Sequence, residues 1–198
     1  MIVNPKHVTE VSVSGTEPVT TAYAKTHLRV DISDDDTLIG NLVSAARQYC
    51  ERYLGQSLVQ HTYRADLPTA YDVIELPHGP VQSITTIKYY DTASPQVLQT
   101  LSSNVYSLVN DTVRRNLGQS WASHATRSDA YQVTYVTGWK DTSSPQGTGE
   151  SVPQAVKAAI LLLTADLYEN REAQIMYAGQ LHDNRAVTML LHPYRVYQ

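Results

Sequence analysis

Ser33–Gly55 reads SDDDTLIGNLVSAARQYCERYLG, and the organisation of the chain follows from this stretch. Apolar residues fall at Leu38, Leu42, Ala45, Tyr49 and Tyr53, with Ile39, Val43, Ala46 and Cys50 beside them. That is the 3.6-residue period of a helix with a broad apolar stripe. Arg47, Gln48, Glu51 and Arg52 take the other face. Ser33 with Asp36 three residues later matches a capping box, the acidic run favours the positive end of a helix, and Gly55 suits the position just past a C-terminus. The spacing predicts a helix over 34–54. Asp34, Asp35 and Asp36 also suggest a hard-cation site, but the glycine and distal glutamate of an EF-hand loop are missing, so a cap is the preferred reading. Cys50 lies on the apolar side as a small core residue, with no histidine near it in sequence to make a catalytic thiol.

Downstream the period changes to two. Val59, His61, Tyr63, Ala65 and Leu67 alternate with polar residues, as in a half-buried strand. Val73–Leu76 ends at the turn Pro77-His78-Gly79-Pro80, and Val81–Tyr90 reads as a long strand. Val105–Val109, Thr112–Asn116 and Tyr131–Trp139 are further strands, which makes 57–139 an antiparallel region closed by a polar loop over 141–151. A second capping pattern, Ser151-Val152-Pro153-Gln154, opens another long helix with Val156, Ala159, Ile160, Leu163 and Leu167 in helical register. It exits through Leu167–Glu172, and a shorter helix over 185–191 stops at Pro193. Upstream, residues 1–19 read as an extended arm, and Thr20 or Thr21 caps a short helix through Leu28. The expected class is therefore α+β, one domain over 1–198. Its helical core, two long helices plus short ones, spans 20–56 and 151–192, with a β-rich insertion at 57–140 and a tail at 193–198 that has no partner in sequence.

The remaining composition excludes more than it selects. Fifteen Lys and Arg against 19 Asp and Glu give a net charge of -4, and the basic residues form no extended run, which argues against a dedicated DNA clamp. One cysteine cannot build a disulfide framework or a Cys-rich zinc site. The longest apolar run, Ala158–Leu163, is far short of a bilayer span, and the first residues lack a signal-peptide core, so the chain is expected to be made in the host cytoplasm with no membrane partner. Fourteen Tyr, two Trp and no Phe favour half-buried surfaces and interfaces, although Tyr is also a good strand former.

No catalytic constellation stands out. His61, His78 and His124 are scattered with no HxxxH or HExxH spacing, and Gly147-Thr148-Gly149 is no dinucleotide loop. Asp166 and Glu169 read as ion-pairing residues for Arg171 or a neighbouring subunit. No enzyme activity, metal or cofactor is expected.

Three blocks carry a family resemblance. They are Ala24–Asp31 followed by the Asp run and Leu38-Ile39, then Ala45–Leu58, and finally Val152–Ile160 with Leu167–Glu172 and His192–Arg195. Together the chain resembles the head-tail connector, or neck adaptor, proteins of long-tailed bacteriophages and related gene-transfer particles, especially the gp6-like and phiE125 gp8-like groups. The resemblance implies a structural virion protein of the neck. It implies a ring of identical subunits, dodecameric in the family, docked under the portal protein. The ring joins the capsid to a tail stopper or tail terminator protein, and genomic DNA passes through the lumen without specific binding. On that reading Glu169, Arg171 and Glu172 contribute to a subunit interface. Pro193, Tyr194, Arg195, Val196 and Tyr197 form a free tail that docks on the portal. The alternative is a β-rich virion module that stacks carbohydrate on Trp121 and Trp139; a third reading is a small hydrolase with an unrecognised site.

Overall fold

A computed structural model describes residues 2, 3, 5, 7–139, 151–170 and 185–196. In chain order the strands and helices are β1 (Ile2–Val3), β2 (His7–Ser14), α1 (Thr21–Leu28), α2 (Asp36–Leu54), β3 (Gln60–Leu67), β4 (Val73–Glu75) and β5 (Val81–Tyr90). They continue with β6 (Leu98–Thr100), β7 (Tyr106–Val109), β8 (Thr112–Arg115), β9 (Tyr131–Thr137), α3 (Gln154–Glu169) and α4 (Arg185–Leu191). The fold is mixed α+β and divides into two compact units. One comprises Met1–Gly15 with Val59–Gly149, the other Thr16–Leu58 with Glu150–Gln198.

The first unit holds two sheets, ordered β2-β3-β9-β5-β6 and β1-β4-β8-β7. All pairings are antiparallel except β1 with β4. Strand β9 lies in the middle of the five-stranded sheet, and its alternation is complete: Tyr131, Val133, Tyr135 and Thr137 are buried while Gln132, Thr134 and Val136 are partly exposed. Leu67, Ile74, Ile87 and Val113 pack with this face into one apolar core. The β7–β8 hairpin turns on two residues, Asn110 (φ 45°) and Asp111 (φ 59°), both left-handed as a tight hairpin requires. Asp111 then braces a second turn: its Oδ1 accepts the Val81 N–H at 2.6 Å and its backbone carbonyl accepts the Leu76 N–H at 2.9 Å.

Residues 1–19 depart from the expected arm. His7–Ser14 pairs along its length with β3, so the arm is an edge strand of the chain's own sheet, with a register shift between Glu10 and Ser12. Its exposed Val11 and Val13 hid the period-two signal, because an edge strand outside the core needs no alternation. Strand β6 likewise carries no alternation of burial, since all three of its residues are exposed.

In the second unit, α1 starts as expected, Thr20 Oγ1 accepting the Tyr23 N–H at 3.2 Å. Helix α2 begins two residues late for a Ser33 capping box: its N-cap is Asp35, which makes no side-chain cap. The acidic run is used laterally instead. Asp36 pairs with Lys25 Nζ at 2.5 Å, and Asp35 Oδ2 accepts the Tyr168 hydroxyl of α3 at 2.6 Å. Likewise α3 opens at Gln154 with Pro153 as N-cap and no side-chain bond, so the box read at Ser151 is not made.

Candidate functional site

The side chains of α2 are sorted differently from their sequence pattern. Its buried residues are Ile39, Val43, Ala46, Arg47, Cys50 and Leu54. Arg47, expected on the polar face, is only 5 % exposed. Its Nε reaches Glu17 at 2.8 Å, its Nη1 reaches Glu51 at 2.5 Å, and the second Glu51 oxygen accepts the Leu58 N–H at 2.8 Å. A buried guanidinium demands such partners, and here they tie the start of the unit and the exit from α2 to one point. The partner Glu17 lies 30 residues away, which is why spacing on the helix gave no sign of it. Cys50 is fully buried and desolvation pushes its thiol up to about 12, so it packs as a small apolar group.

The residues of the leading apolar row behave otherwise. Leu38 and Tyr49 are exposed, Tyr49 by 53 %, and Leu42 and Tyr53 are half-buried. Gly55 (φ 69°) ends the helix in the left-handed region, and here the tail of the chain returns. Val196 N–H donates to Leu54 O at 2.9 Å and Gln56 Nε2 donates to Tyr194 O at 3.0 Å. The Arg195 guanidinium stands 5.1 Å from the Tyr53 ring centroid.

The tail expected to be free is therefore held at Tyr194–Val196 by the chain itself. The polar backbone groups at the end of α2 supply the partners, a long-range pairing invisible in sequence. Its backbone is bound while Pro193, Arg195 and Val196 keep exposed side chains and Tyr194 is half-buried. Tyr197 lies outside the described residues, as do Arg171 and Glu172. Glu169 is exposed at the end of α3, one turn from Asp166, whose Oδ1 accepts Asn170 Nδ2 at 2.8 Å.

In the sheet unit the two histidines with separate sequence contexts come together. His61 and Tyr63 stack at 5.6 Å between centroids, and Tyr63 stacks on His78 at 4.8 Å. Glu10 Oε2 lies 3.3 Å from His61 Nδ1. Burial, and then the nearby His61, hold His78 below the usual imidazole range. The stack fixes the Pro77–Pro80 turn against β3. Trp121 and Trp139 do not form an open stacking platform: both are half-buried with indole nitrogens inside the unit, and Trp121 meets the edge of Tyr131 at 6.0 Å. Among the described residues no group of three or more His, Cys, Asp or Glu is arranged to hold a metal ion, and no helix is long and apolar enough to cross a membrane.

Comparison with known proteins places this geometry. The family model described as phage gp6-like head-tail connector protein matches residues 20–141. No curated protein matches the chain. Among solved structures, the neck of an empty gene transfer agent particle computed with C6 symmetry is similar at a TM-score of 0.71 and 21 % identity, covering 97 % of this chain and 96 % of that one. A chain of the native gene transfer agent virion is similar at 0.69 and 21 % identity, covering 96 % of each. The neck of the native particle computed with C12 symmetry gives 0.69 at 19 % identity, covering 97 % and 96 %. At these identities the likeness is one of fold, over nearly the whole of both chains.

Proposed function

The chain belongs to the phage gp6-like head-tail connector family, and from that membership we propose that it is a structural protein of the virion neck, not an enzyme. Identical copies close into a ring beneath the portal protein, dodecameric as in the family, and join the capsid to the next tail component, a stopper or terminator. The match across residues 20–141, which takes in α1, α2 and strands β3 to β9, carries this reading. The C6 and C12 symmetries of two similar necks support the closed ring. The lumen passes DNA without gripping it, consistent with a net charge of -4 and no extended basic run.

Pro193, Tyr194, Arg195, Val196 and Tyr197 meet the portal. The backbone bonds that hold Tyr194 and Val196 on α2 support a preformed contact, which costs less ordering entropy than a free tail. Glu169, Arg171 and Glu172 lie in a subunit interface. The test is to mix the full chain with its portal and image the complex. A ring on the portal is expected, and a chain that ignores the portal would sink the reading. Deleting residues 193–198 should abolish portal binding while far-UV circular dichroism is retained. Arg171→Glu with an intact fold and unchanged rings would remove Arg171 from the interface.

A further inference from the structure

Helix α2 carries two apolar rows; the helical unit buries one fully and covers the other only in part. Leu38, Leu42, Ala45, Tyr49 and Tyr53 each immediately precede a core residue, Ile39, Val43, Ala46, Cys50 and Leu54. One residue is about 100° of rotation, so the second row runs parallel to the first, a quarter-turn round the helix. Leu38, Ala45 and Tyr49 on it are exposed. The Tyr53 end of the row is met by the Arg195 guanidinium, and Arg52 on its polar border is exposed with no ion pair among the described residues.

The other helices of the same unit also expose apolar side chains, beside acidic ones. The end of α3 exposes Leu167 together with Asp166 and Glu169, and α4 exposes Met189 by 73 %. Exposed Arg52 borders the middle and end of the α2 row, while exposed Asp166 and Glu169 flank Leu167 at the end of α3. A cyclic ring is built from heterologous contacts in which two unlike surfaces meet.

We propose that the second α2 row is one half of the contact between neighbouring copies of this chain. The occupant is the neighbour's α3 end and α4, with Arg52 facing the neighbour's Asp166 and Glu169. This rests on the ring reading above and names the surfaces that make it. Tyr49 is the anchor: a large exposed aromatic in the middle of the row, of the type enriched at interface centres.

The experiment uses the full-length chain, with oligomeric state measured by sedimentation velocity and native mass spectrometry. Tyr49→Glu should raise the concentration needed for assembly at least about tenfold with its circular dichroism unchanged, because the residue is outside the core. Arg52→Glu should weaken assembly, and adding Glu169→Arg should restore part of it. In mixtures of Tyr49→Cys and Met189→Cys chains, oxidation should give the mixed disulfide in preference to either self-pair. Rings that form equally well with Tyr49→Glu overturn the α2 surface and leave the ring reading standing. Preferential self-pairing overturns the heterologous contact. A wild-type chain that stays monomeric at every concentration and on the portal overturns the ring reading and this inference together.

Discussion

Arg47 is held between Glu17 and Glu51 in a nearly dry position, so removing its charge leaves both carboxylates without their shared cation. Breaking a pair of this kind costs about 3 kcal/mol, with Glu17's partial exposure softening the effect. Arg47→Met should therefore lower the urea midpoint of unfolding, and the double variant with Glu51→Gln should recover part of the loss. His78 makes a pH prediction. Its folded pKa lies below the ordinary imidazole value of 6.5, so near and below that value the unfolded chain binds the proton more readily than the folded one. The stability contributed by neutral His78 is present above about pH 6.5 and lost as the pH falls through the folded value. Between pH 7 and pH 5 the wild-type melting temperature should fall more than that of His78→Asn, a residue that tolerates the φ of 64° and does not titrate. Equal falls would place the acid sensitivity elsewhere.

At the scale of elements, the junction of β9 with β3 has no room for a side chain at Gly138. A Cβ there would enter the Val59 carbonyl, and the φ of 113° is one that L residues rarely adopt. Gly138→Ala should destabilise the protein by at least about 2 kcal/mol, read as a drop in the denaturant midpoint; a neutral result would mean that the strand end yields. The α2–α3 pair has a polar latch where the Tyr168 hydroxyl meets Asp35. Tyr168→Phe should cost about 1 kcal/mol while leaving the helical signal intact.

For the whole molecule, the proposed passage of DNA through the ring calls for weak contact with a polyanion, and the charge of -4 supplies no counterion-release term to hold it. Fluorescence anisotropy with a labelled duplex should show no binding at physiological salt, whereas saturable, salt-sensitive binding would require a basic surface created by assembly. Periodicity alone marked α2, α3, β3 and β9, because each buries a stripe or face and the period of burial is written locally. The edge strands β2 and β6 were not legible, since exposed residues carry no such constraint. The Ser33 capping box misled for a related reason: Asp35 and Asp36 found partners in α3 and α1 that compete with a local cap. Composition and helical period determined that the chain is α+β with helices enclosing a sheet-rich segment. Tertiary structure alone decided which of two adjacent apolar rows on α2 enters the core, where Arg47 finds its carboxylates and where the tail comes to rest. Those choices depend on groups far away in sequence, and a helix of period 3.6 presents both rows equally well until a neighbour covers one.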